Sequence, residues 1–312
     1  MWKQEIHKFL ATNQISFEFV DNQSVFELIF LPQSSLYLHL IDFKTSQHNC
    51  LPITYFPAIS DKINIQNQRV IHLWEDVYLS KSELVKSRIL VMIGTFKRLH
   101  ARHCYIERID KLTADNFLKV NHLQGSVMAK FKYGLFLKFQ YGERFGMFGG
   151  EGANNVKEPQ KLLIAVATFS GGRTMKEGDR AGTRSYELIR FASLKGYVVI
   201  GSMDKLLKAF TTEHQPDDIM SYADRDWSDG RSYEKLGFTK IGTTEPQTFF
   251  IDTCTLERLP INGLTKDEHL EIFNTGSLKF IKYIKDKEFL TQTAEDLFHP
   301  HLHFNGKPDF SN

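Results

Sequence analysis

Residues 221–238 read Ser-Tyr-Ala-Asp-Arg-Asp-Trp-Ser-Asp-Gly-Arg-Ser-Tyr-Glu-Lys-Leu-Gly-Phe, and this stretch decides the interpretation of the chain. The apolar entry at residues 218–222 is strand-like, and the loop after it is dense in charge. A short helix then carries Tyr233, Leu236 and Phe238, and Gly237 is placed to end it. The stretch therefore predicts a strand, a polar loop and a short helix in succession.

The length and composition of the chain limit the classes of protein to which it can belong. The chain has 312 residues, 42% hydrophobic and 24% charged, which suffices for one large or two ordinary domains. The net charge of +2 restricts any nucleic-acid contact to local patches. Three widely spaced cysteines support neither a zinc ribbon nor a disulfide framework, and we assign no metal site from the sequence. No apolar run approaches the roughly 20 residues that span a bilayer, so we expect a cytoplasmic protein.

Hydrophobic periodicity predicts an α/β chain of the α+β type. Helices are expected over residues 1–12, from Ser80 to Gly94, over 115–120 with Thr113 as the cap, over 201–210 and over 263–293. Residues 43–66 are expected to be irregular. Strands are predicted at residues 17–30, 36–41, 68–74, 105–109, 131–141, 162–169, 186–192, 219–223 and 239–251.

Two further motifs precede the opening stretch in a fixed order. They are Asn121-His-Leu-Gln-Gly125 and Glu187-Leu-Ile-Arg190. Together with residues 221–238 they resemble the GNAT-like domain of phage Mom-type DNA-modification proteins, and of phage proteins that fuse this domain to a nuclease. The resemblance covers roughly residues 66–250. It implies a GNAT-like mixed sheet with flanking helices.

The same resemblance implies an acyl donor bound at a turn before a helix. Residues 197–208 have an apolar run, then Gly201-Ser202, then a helical pattern. In the family, backbone N–H groups and the positive helix end hold the pyrophosphate of acetyl-CoA. We therefore predict that Gly201, Ser202 and Lys205 bind the cofactor. The usual two-glycine signature is matched only in part, so another acyl donor stays open, as does a plain N-cap at Gly201-Ser202.

Catalytic and substrate-binding residues follow from the three motifs. The resemblance implies proton transfer by Tyr222, Asp224 and Tyr233, with His122 as a further base or a metal ligand. Core packing for Tyr233 and a structural role for His122 are the alternatives. Substrate binding is predicted for five residues, of which Trp227 either stacks on a base or fills the core. These five are Asn121, Glu187, Arg190, Arg225 and Trp227.

The first third of the chain resembles a second family. Residues 69–76 and the helix after them are similar to the last core strand and helix of Vsr-like endonucleases of the PD-(D/E)XK fold. The position of the catalytic acid is Leu28, beside Glu27, and His39 stands where a second polar ligand is expected. Two carboxylates are needed to hold Mg²⁺, so we read a degenerate nuclease domain. A basic strip or a solvated helix face is formed by Lys81, Lys86, Arg88, Lys97, Arg98 and Arg102.

These observations predict three domains and leave competing functions open. The expected division is a degenerate nuclease-fold domain over residues 1–98, a GNAT-like transferase domain over 99–258 and a helical extension over 259–312. The function implied is base modification of DNA at an exocyclic amine. The alternatives are an endonuclease-related DNA-binding protein, inactive or weakly active, and a non-catalytic nucleic-acid-binding protein. Alternating histidines 299, 301 and 303 form either a metal site or an incidental tail.

Overall fold

The chain folds into a mixed α/β structure. The computed structural model describes residues 2–144, 147, 161–178, 180–252, 254–260 and 270–284. Its helices are α1 (Trp2–Thr12), α2 (Phe43–His48), α3 (Tyr55–Ile65), α4 (Glu75–Met92), α5 (Lys111–Asn121), α6 (Phe139–Arg144), α7 (Ser202–His214) and α8 (Arg231–Glu234), with 3₁₀ turns at Pro32–Ser34 and Ala101–His103.

The strands form two main sheets and two small ones. Those before residue 140 are β1 (Glu18–Phe19), β2 (Glu27–Leu31), β3 (Leu36–Ile41), β4 (Arg69–Trp74), β5 (Lys97–His100), β6 (Cys104–Arg108) and β7 (Phe131–Leu137). Those after it are β8 (Leu162–Phe169), β9 (Arg173–Thr174), β10 (Arg184–Ser193), β11 (Tyr197–Ile200), β12 (Asp218–Asp224), β13 (Thr239–Thr243), β14 (Thr248–Ile251), β15 (Arg258–Pro260), β16 (Leu270–Phe273) and β17 (Ser277–Tyr283).

The smaller main sheet belongs to the N-terminal third and runs in the order β1-β2-β3-β4. Every residue of β3 is buried, because this strand is central and is covered on both faces. Helices α1 and α4 contribute Ile6, Leu10, Val85 and Ile89 to the core on one side of the sheet. This packing explains why residues 1–12 form the helix that their periodicity predicts.

The larger sheet has the order β13-β17-β12-β10-β8-β7-β6, with β9 paired to the start of β10. Strands β10 and β12 are parallel neighbours, whereas the other pairs of this sheet are antiparallel. Parallel neighbours need a crossover connection, and α7 provides it. The predicted mixed sheet with flanking helices is thus confirmed.

Strands β10 and β12 part in the middle of this sheet. Their pairing begins at Ser185 and Asp218 and ends at Leu188 and Ser221. Beyond that point β10 pairs only with β8, and its register against β8 shifts between Leu188 and Arg190. A β-bulge bends the strand that carries it. The bulge therefore accompanies the separation of the two strands and opens the sheet at its centre.

Several predicted elements differ in the structure. Residues 270–273 and 277–283 are strands, so the helix predicted over them is wrong. The alternation of Leu278 and Phe280 toward the core marks β17 as a strand. The segment 43–66 is largely helical rather than irregular, because Asp42 caps α2 and α3 packs Phe56 and Ile63 inward. The rest of the predicted C-terminal helix and the alternating histidines lie outside the described residues.

Two predicted helix starts also need correction. Helix α4 begins at Glu75, and non-helical torsions at Lys81 interrupt it where Ser80 was expected to be the cap. The Ser80 hydroxyl instead donates to the Asp76 carbonyl at 2.7 Å. Helix α5 is capped by Asp110, whose carboxylate accepts from the Thr113 amide at 2.7 Å, so Thr113 is not the cap.

The N-terminal sheet shares buried side chains with later parts of the chain. Trp227 lies in the core formed by α1, α4 and the N-terminal sheet. A further core joins Phe56 and Trp74 to Ile251 and Ile272 of the small sheet β15-β14-β16. The predicted division into three domains stays a prediction, and these cores show that its parts are packed against one another.

Candidate active site

A cleft of about 1380 Å³ lies where β10 and β12 part. It is lined by the ends of β10 and β12, by the start of α7 and by α8. Helices α3 and α4, strands β4 and β11 and residues 121–124 at the end of α5 also line it. The cleft therefore brings together all three sequence motifs and parts of the N-terminal third.

Asp224 occupies the last position of β12, at the mouth of this opening. Its carboxylate accepts from the side-chain amide of Gln124 at 2.9 Å and from the backbone amide of Asp226 at 2.9 Å. Burial raises the pKa of Asp224 above its ordinary value, against these hydrogen bonds and nearby arginines that lower it. Gln124 was not among the predicted site residues, and its motif position beside His122 was the signal that pointed to it.

Asp226 is a second buried acid, two residues further on. It is 3% exposed, and its carboxylate accepts from both the amide and the hydroxyl of Thr275. Burial, reinforced by the charge of Asp224, raises the pKa of Asp226 to about 7. The carbonyl of Asp226 accepts from the His72 amide at 2.9 Å. Asp226 thus ties the loop to the N-terminal sheet and to the turn before β17.

The two tyrosines predicted to transfer protons stand in different environments. The ring of Tyr233 stacks on Phe280 with centroids 5.1 Å apart, and its hydroxyl shares a hydrogen bond of 3.1 Å with Ser221. Burial raises the pKa of Tyr233, so its hydroxyl stays protonated at neutral pH. Tyr222 is 38% exposed. Burial and then the charge of Glu187 raise the pKa of Tyr222 as well.

His122 ends α5 and faces the same cleft. Its Nδ1 accepts from the Gln124 amide at 3.2 Å, and its carbonyl accepts from Lys81 at 2.8 Å. Burial, followed by the charges of Arg190, Arg88 and Lys81, lowers the pKa of His122 to about 3. The imidazole is therefore neutral near pH 7 and orients Gln124 through its ring nitrogen.

Glu187 and Arg190 were expected to point to opposite faces of their strand. The register of β10 against β8 shifts between Leu188 and Arg190, and the charges of Glu187 and Arg190 interact. Burial raises the pKa of Glu187, while Arg190 lowers it. Arg190 donates through one Nη to the Ile189 carbonyl at 3.0 Å. Arg190 lines the cleft, and the orientation of Glu187 to the opposite face stays a prediction.

The backbone at Gly201 forms the predicted turn before α7. Gly201 adopts a positive φ of 77° at the start of α7, a conformation that glycine adopts without steric cost. Ser202 is buried and donates to the Val199 carbonyl at 2.6 Å. Lys205 donates to the carbonyls of Ala101 and Cys104 at 2.8 and 2.6 Å. These contacts occupy the side chains of Ser202 and Lys205 in holding the turn together.

Three predicted substrate-binding residues make structural contacts. The Asn121 amide group donates to the Phe117 carbonyl and accepts from the Lys195 amide, which pins the turn after β10 to α5. Arg225 forms an ion pair of 2.7 Å with Asp61. Trp227 is 6% exposed and packs in the N-terminal core. Because stacking on a base needs an open ring face, this packing favours the core-filling alternative for Trp227.

The N-terminal sheet does not bring a pair of acids together. Leu28 pairs with His39 across β2 and β3, so the adjacent Glu27 points to the opposite face. Glu27 contacts His7 at 2.6 Å. His39 is fully buried, and its Nδ1 lies 2.9 Å from Nδ1 of His72. Burial lowers the pKa of His39 to about 3, so this pair is neutral.

The predicted basic strip does not form a single surface. Lys81 is bound to the His122 carbonyl, Lys86 to Glu83 at 3.0 Å, and Arg88 faces the cleft. Within the ranges described, no three His, Cys, Asp or Glu side chains are grouped as a metal site. No helix in the same ranges is long and apolar enough to cross a membrane.

Comparisons with solved structures find distant likenesses, among them two acetyltransferases and a protein–DNA complex. The Escherichia coli ribosomal-protein-S18-alanine N-acetyltransferase is 12% identical, with a TM-score of 0.31 over 59% of this chain and 95% of its own. A Bacillus subtilis acetyltransferase in complex with CoA is 10% identical, with a TM-score of 0.33 over 58% and 99%. A KacTA–DNA complex is 14% identical, with a TM-score of 0.30 over 61% and 99%.

No protein-family model and no curated protein matches the chain. Identities of 10–14% and TM-scores of 0.30–0.33 are too low to assign the activity or the substrate of those proteins to this chain. The function must therefore be argued from the cleft itself.

Proposed function

We propose that the cleft is the active site of a GNAT-like acyltransferase that modifies an amine of a nucleic acid, as in the Mom-type proteins that the motifs resemble. The observation that carries the proposal is the parting of β10 and β12 beyond Leu188 and Ser221. Asp224 and Tyr233 stand at this opening. An opening in the middle of a sheet admits a donor from one side and an acceptor from the other.

Acyl transfer to an amine forms a carbon–nitrogen bond and breaks the bond between the acyl carbon and its carrier. The amine loses one proton, and the carrier's leaving atom gains one. We assign the first proton to the carboxylate of Asp224, because burial makes this carboxylate a stronger base than an exposed one. We assign the second to Tyr233, whose hydroxyl burial keeps protonated.

An acyl-CoA fits the start of α7 through the backbone alone. When bound, it supplies an activated thioester. Gly201 and the first residues of α7 line the cleft, and helix N-termini attract phosphate. Lys205 is committed to two carbonyls. The turn can therefore present amide groups to a pyrophosphate, while the cations must come from elsewhere in the cleft.

Exposed cations support nucleic acid as the acceptor. Strand β5 pairs with β11, whose end at Ile200 leads into Gly201. Lys97, Arg98 and Arg102 are exposed on or just after β5. Contacts of this kind position a polynucleotide by its phosphates. The DNA acceptor, the exocyclic amine and the cytoplasmic location rest on the resemblance.

Mass spectrometry of nucleosides from cells expressing the chain tests this function. We expect a modified nucleoside with the wild-type protein and none with Asp224→Asn. Glu83→Gln is the control, because Glu83 is exposed and forms a surface ion pair with Lys86. An unmodified pool with the wild type, when the protein is folded and abundant, refutes the assignment of nucleic acid as the acceptor.

The endonuclease alternative gains no support from the N-terminal sheet, since Glu27 and His39 point to opposite faces. Plasmid cleavage with Mg²⁺ that is abolished by Glu27→Ala would reverse this view.

A further inference from the structure

Two arginines, Arg88 of α4 and Arg190 of β10, face the cleft. The charge of Asp224 acts on both, and that of Glu187 acts on Arg190, but these carboxylates lie beyond salt-bridge distance of the two arginines. Among the residues that the structure describes, neither forms an ion pair, and the Nε atom of each is buried without a hydrogen-bond partner. Burying an unpaired guanidinium is costly. Two buried arginines without ion pairs in one cleft indicate that the cleft binds an anion.

Arg88 comes from outside the part of the chain that carries the transferase motifs. Its guanidinium lies 5.5 Å from the ring of Trp227, which holds the side chain at the wall of the cleft. Burial lowers the pKa of Arg88, and the charge of Asp224, followed by the nearby Tyr233 hydroxyl group, acts against this shift. The same two groups act on Arg190. Both arginines are thus near the two residues assigned to proton transfer.

We infer that Arg88 and Arg190 together bind a phosphate group of the substrate, so that α4 of the N-terminal third completes the active site. The inference rests on the proposed function of the cleft. Arginine suits this role because its planar fork matches phosphate and it keeps its charge when buried. The phosphate belongs either to the acyl donor or to the nucleic-acid acceptor, since both carry this group.

The plain alternative is that Arg88 is a packing residue over Trp227. A guanidinium on an aromatic face is stabilising, and an uncharged side chain of similar length would cover the ring at a smaller desolvation cost. Two observations favour phosphate binding over packing alone. The Nε atom of Arg88 is buried without a hydrogen-bond partner among the described residues, and Arg88 lines the wall of the cleft.

Calorimetric titration of the full chain tests the inference. The probes are CoA, a short single-stranded deoxyoligonucleotide and inorganic pyrophosphate. Arg88→Met keeps the contact with Trp227 and removes the charge, and we expect it to weaken binding of at least one probe about tenfold or more. Lys86→Met is the matched control, because Lys86 is a cation on the same helix that pairs with Glu83.

The pattern of losses identifies the source of the phosphate. Weaker binding of CoA and pyrophosphate alone assigns Arg88 to the donor, and weaker binding of the oligonucleotide alone assigns it to the acceptor. Arg88→Lys is expected to bind with intermediate affinity, since lysine retains charge but not the fork. Unchanged affinities in a folded Arg88→Met protein, or a wild type that binds none of the probes, would overturn the inference.

These titrations read binding at equilibrium and not acyl transfer. Failure of the proposed function therefore shows as phosphate binding through Arg88 without a modified nucleoside. Failure of the inference alone shows as modification that survives Arg88→Met.

Discussion

Asp224 and Asp226 stand two residues apart and meet different partners. Asp224 ends β12 at the cleft and is held by Gln124, whereas Asp226 is turned toward Thr275 and is almost fully buried. The charges of the two interact, and burial raises the pKa of each. Asp224, the proposed base, therefore faces the cleft, whereas Asp226 holds the loop in place.

Asp224→Asn tests the catalytic assignment. We expect the rate of acyl transfer to fall about 100-fold or more, because an amide cannot accept the amine proton. The thermal midpoint should change little, since asparagine can keep the contact with Gln124. In the wild type, the rate should rise with pH through the raised pKa of Asp224, because the base must be ionised. A variant with normal rates in a transfer assay would remove Asp224 from the mechanism.

Asp226→Asn separates the structural acid from the catalytic one. The pKa of Asp226 is about 7 in the folded chain and 3.8 ordinarily, so its neutral form stabilises the fold fully below about pH 4. That contribution is lost as the pH rises to about 7. Asparagine does not ionise, so the variant's midpoint relative to wild type should be higher at pH 8 than at pH 5. Even 1 kcal/mol moves a midpoint by about 2 °C or more.

Thermal scans of both proteins at the two pH values measure this difference. Glu83→Gln, at an exposed acid, should show none. A difference that is constant with pH would mean that Asp226 is ionised throughout this range.

At the level of elements, the turn between β16 and β17 holds the loop of the active site. The Gly276 carbonyl accepts from the Arg225 amide at 3.1 Å, and Thr275 binds Asp226. Gly276 has a φ of 81°, and a Cβ atom there would overlap the Thr244 carbonyl oxygen. The turn thus requires glycine for both torsion and space.

Gly276→Ala should therefore destabilise the protein by about 2 kcal/mol or more, through strain and overlap with backbone. Gly242→Ala is the matched control, because Gly242 has open space around its Cα and no positive φ. Urea unfolding of both variants measures the free energies. Equal stabilities would show that the turn can adjust without loss.

For the whole molecule, the decisive feature is the contact between the N-terminal third and the later strands. Arg258 forms a bidentate salt bridge with Asp76, in which Nε and Nη2 donate to the two carboxylate oxygens at 2.6 and 3.1 Å. Asp76 is 2% exposed and starts α4, while Arg258 lies in β15. This pair and the shared core around Trp74 and Ile251 hold α4 in place. The cleft wall that includes Arg88 depends on them.

Asp76→Asn should cost about 3 kcal/mol, because it leaves the Arg258 charge without its partner in a largely buried setting. Asp61→Asn removes an acid whose side chain is exposed, and it should cost less than about 1 kcal/mol. Thermal or urea unfolding measures both. We also expect a single cooperative transition for the full chain, and two separate transitions would contradict the shared core.

Local sequence patterns predicted correctly those helices, strands and turns whose structure depends mainly on their own residues. The periodicity of residues 1–12, the buried run of β3 and the Gly201 turn predicted elements that the structure contains. The helix predicted over residues 270–283 was wrong, because β17 forms a strand through its pairing with β12 and β13. Pairing of that kind depends on distant residues and leaves little trace in a local window.

The sequence by itself determined which side chains carry charge or an ionisable hydroxyl at the site. It also determined the order of three motifs around Asn121, Glu187 and Tyr222. Only the tertiary structure decided which of these face the cleft. Arg190 lines the cleft, Trp227 is buried in the N-terminal core, and α4 brings Arg88 to the site. The reason is that burial and electrostatic environment arise from contacts between residues far apart in the chain.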